Sequence, residues 1–276
     1  MKRLFILAAY DRRSEVSQAL VYYARALSAC GDVIFVADNT LEERELSRLD
    51  AYTIARFAES HHEYDFGSYK RGYAYAVEKG ILSRYDRLYL VNDSVYGPLY
   101  ELERYLSEME ASGAEATALT FNPHHSHPHL ESWFMGFGER VFHASWFAAF
   151  LNGVEALYDK KEVCIRYENG LSEKLQEEGI RLLGLFTVHG KEVYNKPYSL
   201  FKKGLPFFKR DAIIRHNGAC RYDIRKILEA ISPETNEVFE KDIIRLYGEN
   251  ILHDIHSARP LNQAGRALVY ALKKWA

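Results

Sequence analysis

The sequence predicts an α/β fold: a mostly parallel central sheet flanked by helices, with a helical segment at its C-terminal end. Three observations predict it. Short apolar runs of strand length recur through the first half, stretches of helical periodicity stand between them, and the runs end in polar, often acidic, residues. Such alternation sets successive strands parallel with helices on both faces, and ligands of these sheets bind beyond the carboxyl ends of the strands.

Taken in order, Arg3–Ala9 is a first buried strand. Its apolar run has the look of a leader peptide, but it stops at Asp11 without a cleavage-like segment. Val16, Ala19, Leu20, Tyr23, Ala24 and Leu27 keep helical spacing, and Gly31 closes that helix. Val33–Ala37 is a second strand and Thr53–Phe57 a third, followed by a helix over Ser68–Lys79 that Gly80 ends. Arg87–Val91 is a fourth strand running into Asn92, Asp93 and Ser94. Asp11, Asp38 and Asp93 thus all stand just past strand ends, where a ligand of the sheet would lie. A helix over Pro98–Ser112 leads to strands at Ala116–Phe121 and Ser132–Gly138, with a His-rich loop between them. Helices near His143–Leu157 and Val163–Glu178 and a strand at Arg181–Val188 follow. Tyr194–Ala219 reads as a basic loop carrying Lys202, Lys203, Lys209, Arg210 and Arg215, and from Tyr222 the chain reads as helical. With no repeat, low-complexity segment or linker in view, residues 1–276 are expected to form one domain.

Composition narrows the partners. Lys and Arg number 36 against 38 Asp and Glu, so the net charge of −2 provides no field for nucleic acid. The 20 Tyr and 15 Phe suit stacking on sugars or bases, and equally an aromatic core. Cys30, Cys164 and Cys220 make neither a metal spacing nor a disulfide framework, which points to a reducing, cytoplasmic setting. No apolar run reaches the roughly 18 residues that span a bilayer. A soluble protein is expected, with at most peripheral contact at the inner face of the cell membrane. The final stretch, with Arg266, Lys273, Lys274 and Trp275 around Leu268, Val269 and Leu272, reads either as a membrane-surface helix or as one packed on its own domain.

The segment Tyr64–Leu99 carries the most chemistry. An acidic residue directly after a buried strand is where a divalent ion, Mg2+ or Mn2+, is held through one or two carboxylates and the ligand's phosphates. Asp93 is the expected metal ligand, supported by Ser94 or a water. The same triplet also reads as a strand-end turn that caps the next helix. Asp65 heads a helix, and Lys70 and Arg71 one turn on either meet phosphates or are solvated helix residues. The loop Asn122–His129 holds His124, His125, His127 and His129, which suggests zinc. Two prolines and missing acidic or Cys partners favour instead a mobile loop over a sugar, with His129 nearest the chemistry.

These blocks resemble the rhamnan synthesis protein F family. The resemblance lies in Asp65-Phe66-Gly67, Tyr85-Asp86, and Asn92-Asp93-Ser94 followed by Gly97-Pro98. A second block agrees: His129 to Phe134, then Tyr167-Glu168 and Gly170-Leu171-Ser172 heading a helix. It covers about Leu4 to Gly190. Where such proteins carry an Asp-x-Asp motif, this chain has Asn92 at the first position. The resemblance implies a GT-A-like fold and a bacterial enzyme of surface polysaccharide assembly. It implies transfer of a sugar, rhamnose or another deoxyhexose, from a nucleotide-diphosphate donor to a saccharide hydroxyl; direct displacement would invert the anomeric centre. The basic stretch Lys202 to Arg215 either binds diphosphate or an anionic lipid-linked saccharide acceptor, or is a solvated loop.

On that basis 1–122 is the donor half, 123–221 the acceptor side and 222–276 C-terminal helices. Asp11, Asp38, Asp65, Lys70, Arg71, Asn92, Asp93 and Ser94 are the expected donor residues. His129, Glu131 and Trp133 are the expected acceptor contacts, and Glu168 is the expected base. Glu168 also reads as a first-turn carboxylate that answers the helix dipole. Two other functions fit the same residues: a nucleotide-sugar hydrolase or phosphotransferase, and a non-catalytic sugar-binding partner of an assembly complex.

Overall fold

The computed structural model describes residues 1–260. The basic and apolar stretch around Leu268 therefore lies outside the described residues. The chain divides into two compact units. The first comprises Met1–Val16, Tyr23–Asp93 and Glu101–Gly190. The second comprises Ser17–Tyr22, Ser94–Tyr100 and the described chain from Lys191 on.

In the first unit, strand β1 (Arg3–Ala9) leads to helix α1 (Gln18–Ser28), whose later turns belong here, and then to β2 (Asp32–Ala37) and β3 (Ala55–Ala58). Helix α2 (Tyr64–Glu78) and strand β4 (Arg87–Asn92) follow. Strand β5 (Val95–Tyr96) belongs to the second unit, and the chain re-enters the first at α3 (Leu102–Ala111). There β6 (Ala116–Asn122), β7 (His129–Leu130), β8 (Phe134–Gly138), α4 (Ser145–Asn152), α5 (Gly170–Glu177) and β9 (Leu182–Thr187) complete the unit. Among the described residues the sheet runs β3-β2-β1-β4-β8-β6-β7, with β9 also on β6. β1 pairs in parallel with β2 and β4, β2 with β3, and β6 with β9, whereas β8 is antiparallel to both β4 and β6. The α/β class with a mostly parallel sheet is therefore the one the alternating runs predict.

β1, β2 and β4 are buried almost throughout, as expected of strands covered on both faces. One face packs Ile6, Ile34 and Leu90 under Phe66, Tyr69 and Tyr73 of α2. Gly72 lets α2 lie close, because a Cβ there would run into Ile6. On the other side Phe5 stacks on Tyr89 at 5.0 Å, and buried Arg3 bonds Glu110 at 2.6 Å and Glu103 at 2.6 Å. Removing one partner of a buried pair exposes the desolvation cost of the other, so this triad constrains the sheet's far end rather than the ligand side.

α2 starts one turn before the sequence pattern suggests, at Tyr64. The cause is Asp38, whose carboxylate accepts the backbone N–H groups of His61, His62 and Tyr64 at 2.8, 2.7 and 3.1 Å. His62 and Tyr64 have positive φ of 59° and 55°, a costly backbone that this carboxylate holds in place.

In the second unit β5 pairs with β10 (Phe208–Lys209). Helices α6 (Pro197–Lys202), α7 (Arg221–Leu228), α8 (Pro233–Tyr247) and α9 (Glu249–Ser257) supply the rest. α8 begins at a Ser232 cap with Pro233 in its first turn. Tyr96, Phe208, Ile224, Phe239 and Ile243 share the core. Within it, buried Asp242 accepts the Tyr96 hydroxyl at 2.8 Å and Arg245 Nε at 2.9 Å.

Candidate active site

Several of the side chains expected from the sequence gather in the first unit at the end of β4. Asn92 is buried, its Nδ2 donates to Asp65 Oδ2 at 2.8 Å, and its N–H donates to Trp133 O at 3.1 Å. Asp93 follows, half-buried, its N–H on Ala8 O at 3.0 Å. Ser132 is held at both ends of its backbone: its N–H donates to Glu168 Oε1 at 2.9 Å, and its carbonyl accepts the Tyr69 hydroxyl at 2.9 Å. Residues 132–133 thus form a strap that ties Asn92, Tyr69 and Glu168 together.

Two buried phenols report the charge in this region. Burial pushes the Tyr69 hydroxyl well above its ordinary value, and Asp65, Tyr23 and Glu168 push the same way. Burial does the same to Tyr23, with the Asp93 carboxylate adding to it. Asp65 and Glu168 thus both act on Tyr69, and Asp93 on Tyr23. Tyr69 consequently stays a neutral donor to Ser132 across the physiological range. Replacing Tyr69 with Phe leaves the carbonyl of half-buried Ser132 without this donor, an expected cost of about 1–3 kcal/mol in denaturant unfolding. It also loosens the strap under Glu168, so slower turnover is expected beside the lost stability. Unchanged unfolding and unchanged turnover would each contradict this account.

Glu168 reaches the strap from a π-helical turn, Cys164–Asn169, that runs directly into α5. An extra residue in the turn rotates the side chains within it relative to a regular helix, and such turns concentrate at functional sites. The pattern Val163–Glu178 reads as one regular helix, so the π turn has no sequence signal. Tyr69 is likewise absent from the expected set, because an apolar-facing aromatic in a helix reads as core.

The other expected residues are placed as follows. Asp11 is buried beyond β1, its Oδ1 accepting Arg13 N at 2.8 Å and its backbone paired with Asn39. Asp38 is committed to the loop that starts α2. Beyond the ends of β1 and β2 opens a cavity of about 480 Å³, lined by Arg13, Ser14, Glu15, Thr40, Leu41 and Arg44 among others. Lys70 donates to Val154 O at 2.7 Å and pairs with Glu63 at 3.3 Å. Arg71 bonds Glu59, and Glu63 at 2.5 Å. Burial pushes the Glu63 carboxyl up, and the bonds from Arg71 and Lys70 more than reverse it, leaving it below its ordinary value. The structure therefore places both cations in an internal ion cluster.

Gly67 lies against His61 and Glu63, where a Cβ would collide. Buried Glu131 accepts Thr120 Oγ1 at 2.9 Å and the Trp133 indole N–H at 3.0 Å, so these two shape the strap from within. His129 Nδ1 bonds His127 O at 2.8 Å, and His127 reaches Glu173 at 2.7 Å. Ser94 lies in the second unit, where its Oγ accepts Lys209 Nζ at 2.9 Å.

Among the described residues no three His, Cys, Asp or Glu side chains are grouped to hold a metal ion. Asp93 at the strand end fits a Mg2+ or Mn2+ that shares its shell with a ligand's phosphates, and not a closed all-protein site. Among the described residues no helix is long and apolar enough to cross a membrane.

A family model described as rhamnan synthesis protein F matches residues 33–251, most of the chain and beyond the segment where the motifs lie. The chain belongs to the rhamnan synthesis protein F family. It is 26% identical over 185 residues to the uncharacterized protein y4gN of Sinorhizobium fredii, covering 66% of this chain and 48% of that protein. This rhamnan synthesis protein F chain thus spans about half the length of that relative.

Solved structures with similar folds include one from Desulfovibrio desulfuricans G20 described as a nucleotide-diphospho-sugar transferase. Its TM-score is 0.45 at 13% identity, over 90% of this chain and 99% of that one. Another is a glycosyltransferase involved in glycosylation of the major capsid of PBCV-1, with TM-score 0.40 and 11% identity over 75% and 92% of the two chains. Four parallel strands in the order β3-β2-β1-β4, bounded by antiparallel β8, give this family member a mixed α/β architecture with a mostly parallel central sheet.

Proposed function

We propose that this rhamnan synthesis protein F chain is a glycosyltransferase that moves a sugar from a nucleotide-diphosphate donor to a saccharide hydroxyl. The observation that carries the proposal is the strap at residues 132–133, which joins Glu168 to the Asn92–Asp65 pair at the end of β4. The donor's base and ribose have room in the cavity beyond β1 and β2, and Asp93 faces its diphosphate. A divalent cation bound at Asp93 would supply neutralisation of the charge that builds on the leaving group. Glu168 takes the proton from the acceptor hydroxyl. The acceptor oxygen forms its bond to the anomeric carbon as the carbon–oxygen bond to the diphosphate breaks, and the nucleoside diphosphate leaves. A single displacement of this kind inverts the anomeric centre, and positioning and charge stabilisation supply most of the acceleration. Rhamnose or another deoxyhexose as the sugar, and a growing bacterial surface polysaccharide as the acceptor, are proposed from family membership.

The test is calorimetric binding of dTDP, UDP, GDP and CMP with and without Mn2+, followed by turnover of the matching nucleotide sugars. One nucleotide is expected to bind with metal dependence, and its sugar to be released faster with a saccharide acceptor than into water. Release equally fast without acceptor would mark a hydrolase. Binding of no nucleotide to folded protein would leave a non-catalytic partner.

A further inference from the structure

His61 takes no part in the reaction above, yet its side chain is out of solvent and spends both ring nitrogens on the segment that starts α2. Nδ1 accepts the N–H of Glu63 at 3.1 Å, so that nitrogen carries no proton. The proton of the neutral ring is therefore on Nε2, which donates to Ser68 Oγ, 3.0 Å away within α2. Ser68 is itself only 1% exposed. Asp38 Oδ1, which accepts the N–H groups of His61 and His62, stands 3.4 Å from the same Nδ1. Nδ1 has one position to offer. Unprotonated it serves the Glu63 N–H, and protonated it turns to the Asp38 carboxylate and leaves that N–H behind. The segment so held presents Asp65 in the first turn of α2, where its Oδ2 accepts Asn92 Nδ2 at 2.8 Å beside Asp93.

We infer that His61 is a positioning residue of the donor site and its acid-sensitive catch: the neutral Nε2–H ring holds the first turn of α2, and with it Asp65 on Asn92, and a proton at Nδ1 releases that turn. The donor as the ligand affected rests on the transferase reading; the catch itself does not. The charged groups facing the ring are Asp38 beyond β2, Glu59 beyond β3, Glu63 just before α2 and Arg71 within it. Burial, the largest influence, and Arg71 hold the imidazole below its ordinary value, against the pull of the three carboxylates. The folded chain thus takes this proton less readily than the unfolded chain, whose imidazole titrates at about 6.5. The stability that the neutral ring secures is complete above that pH and is lost progressively as the pH falls below it.

The experiment follows amide hydrogen exchange over residues 61–68 of the full chain from about pH 8 to about pH 5, corrected for the intrinsic rate at each pH. Thermal melts confirm folding. Wild type is expected to lose roughly 10-fold protection at Glu63 and Tyr64 towards the acid end. His61→Asn puts an acceptor that does not titrate two residues before the Glu63 N–H, the arrangement of an Asx turn. It is expected to restore protection at neutral pH and to remove the acid loss. His61→Leu, with neither acceptor nor proton, is expected to lack the protection at every pH. Acid loss that is equal in wild type and His61→Asn, or seen in neither, overturns the catch.

A second arm repeats the calorimetry with dTDP, UDP, GDP and CMP at both ends of the range. The acid weakening of whichever nucleotide binds is expected to be roughly 10-fold smaller in His61→Asn than in wild type. Equal weakening in the two proteins removes His61 from the donor site. Because His61 acts through Asp65, His61→Leu combined with Asp65→Ala is expected to bind no worse than Asp65→Ala alone, and additive losses would overturn that route. If no nucleotide binds while acid lowers protection in wild type and not in His61→Asn, the catch stands and the donor reading falls. Protection independent of acid, beside metal-dependent nucleotide binding, gives the reverse.

Discussion

Glu168→Gln is expected to slow sugar transfer by about 10²–10⁴-fold, the usual contribution of a positioned general base. The amide has the same shape and can still accept the Ser132 N–H through its oxygen, so the strap and the π turn stay as they are. The negative charge and the capacity to take a proton are lost. Thermal stability and nucleotide affinity are accordingly expected to match wild type, and the loss to fall on the rate at saturating donor and acceptor. Single-turnover measurement with the nucleotide sugar found by the binding panel provides the check. A rate within a few-fold of wild type would remove Glu168 from the chemistry and leave it as an anchor for Ser132 alone.

Asp93→Ala is expected to weaken nucleotide-diphosphate binding in Mn2+ by roughly 10- to 100-fold, and to abolish the difference between Mn2+ and metal-free buffer. The substitution keeps the backbone N–H that Asp93 donates to Ala8, so β4 should end as it does now. The two parts of the expectation separate. Loss of metal dependence with affinity retained would mean that protein cations carry the diphosphate. A second readout needs no ligand: with the neighbouring carboxylate gone, Tyr23 should ionise at lower pH, though burial, the larger cause, still holds it above its ordinary value. An ultraviolet titration that leaves the phenol unmoved would show that Asp93 does not act on Tyr23.

Much of this was legible in the sequence, for identifiable reasons. β1, β2 and β4 are unbroken apolar runs because both faces are covered, and their ends at Asp11, Asp38 and Asn92 are legible because polarity changes abruptly where burial stops. α2 was legible in type but not in start. Its first turn depends on three N–H groups reaching back to Asp38, more than twenty residues upstream. β5 and β10 are two-residue strands that exist only because they pair with each other, so neither has a pattern of its own. The direction of β8 is equally silent, since its apolar residues would suit a parallel or an antiparallel neighbour alike.

The candidate site divides along the same line. By itself the sequence determined the α/β class, the acidic strand end at Asn92-Asp93 and the family, because strand-length apolar runs and short motifs are local properties of the chain. Only the tertiary structure decided which charges meet. It spends Lys70 and Arg71 on Glu63, turns Glu131 and Trp133 inward on each other, and brings Tyr69 and Ser132 into the company of Glu168. It also sets Lys209 and Arg215 on one tyrosine ring. The physical reason is that a side chain's partner is chosen by distance in the folded chain, where each buried polar group must find a complement, and sequence spacing carries no measure of that distance beyond a turn or two of helix.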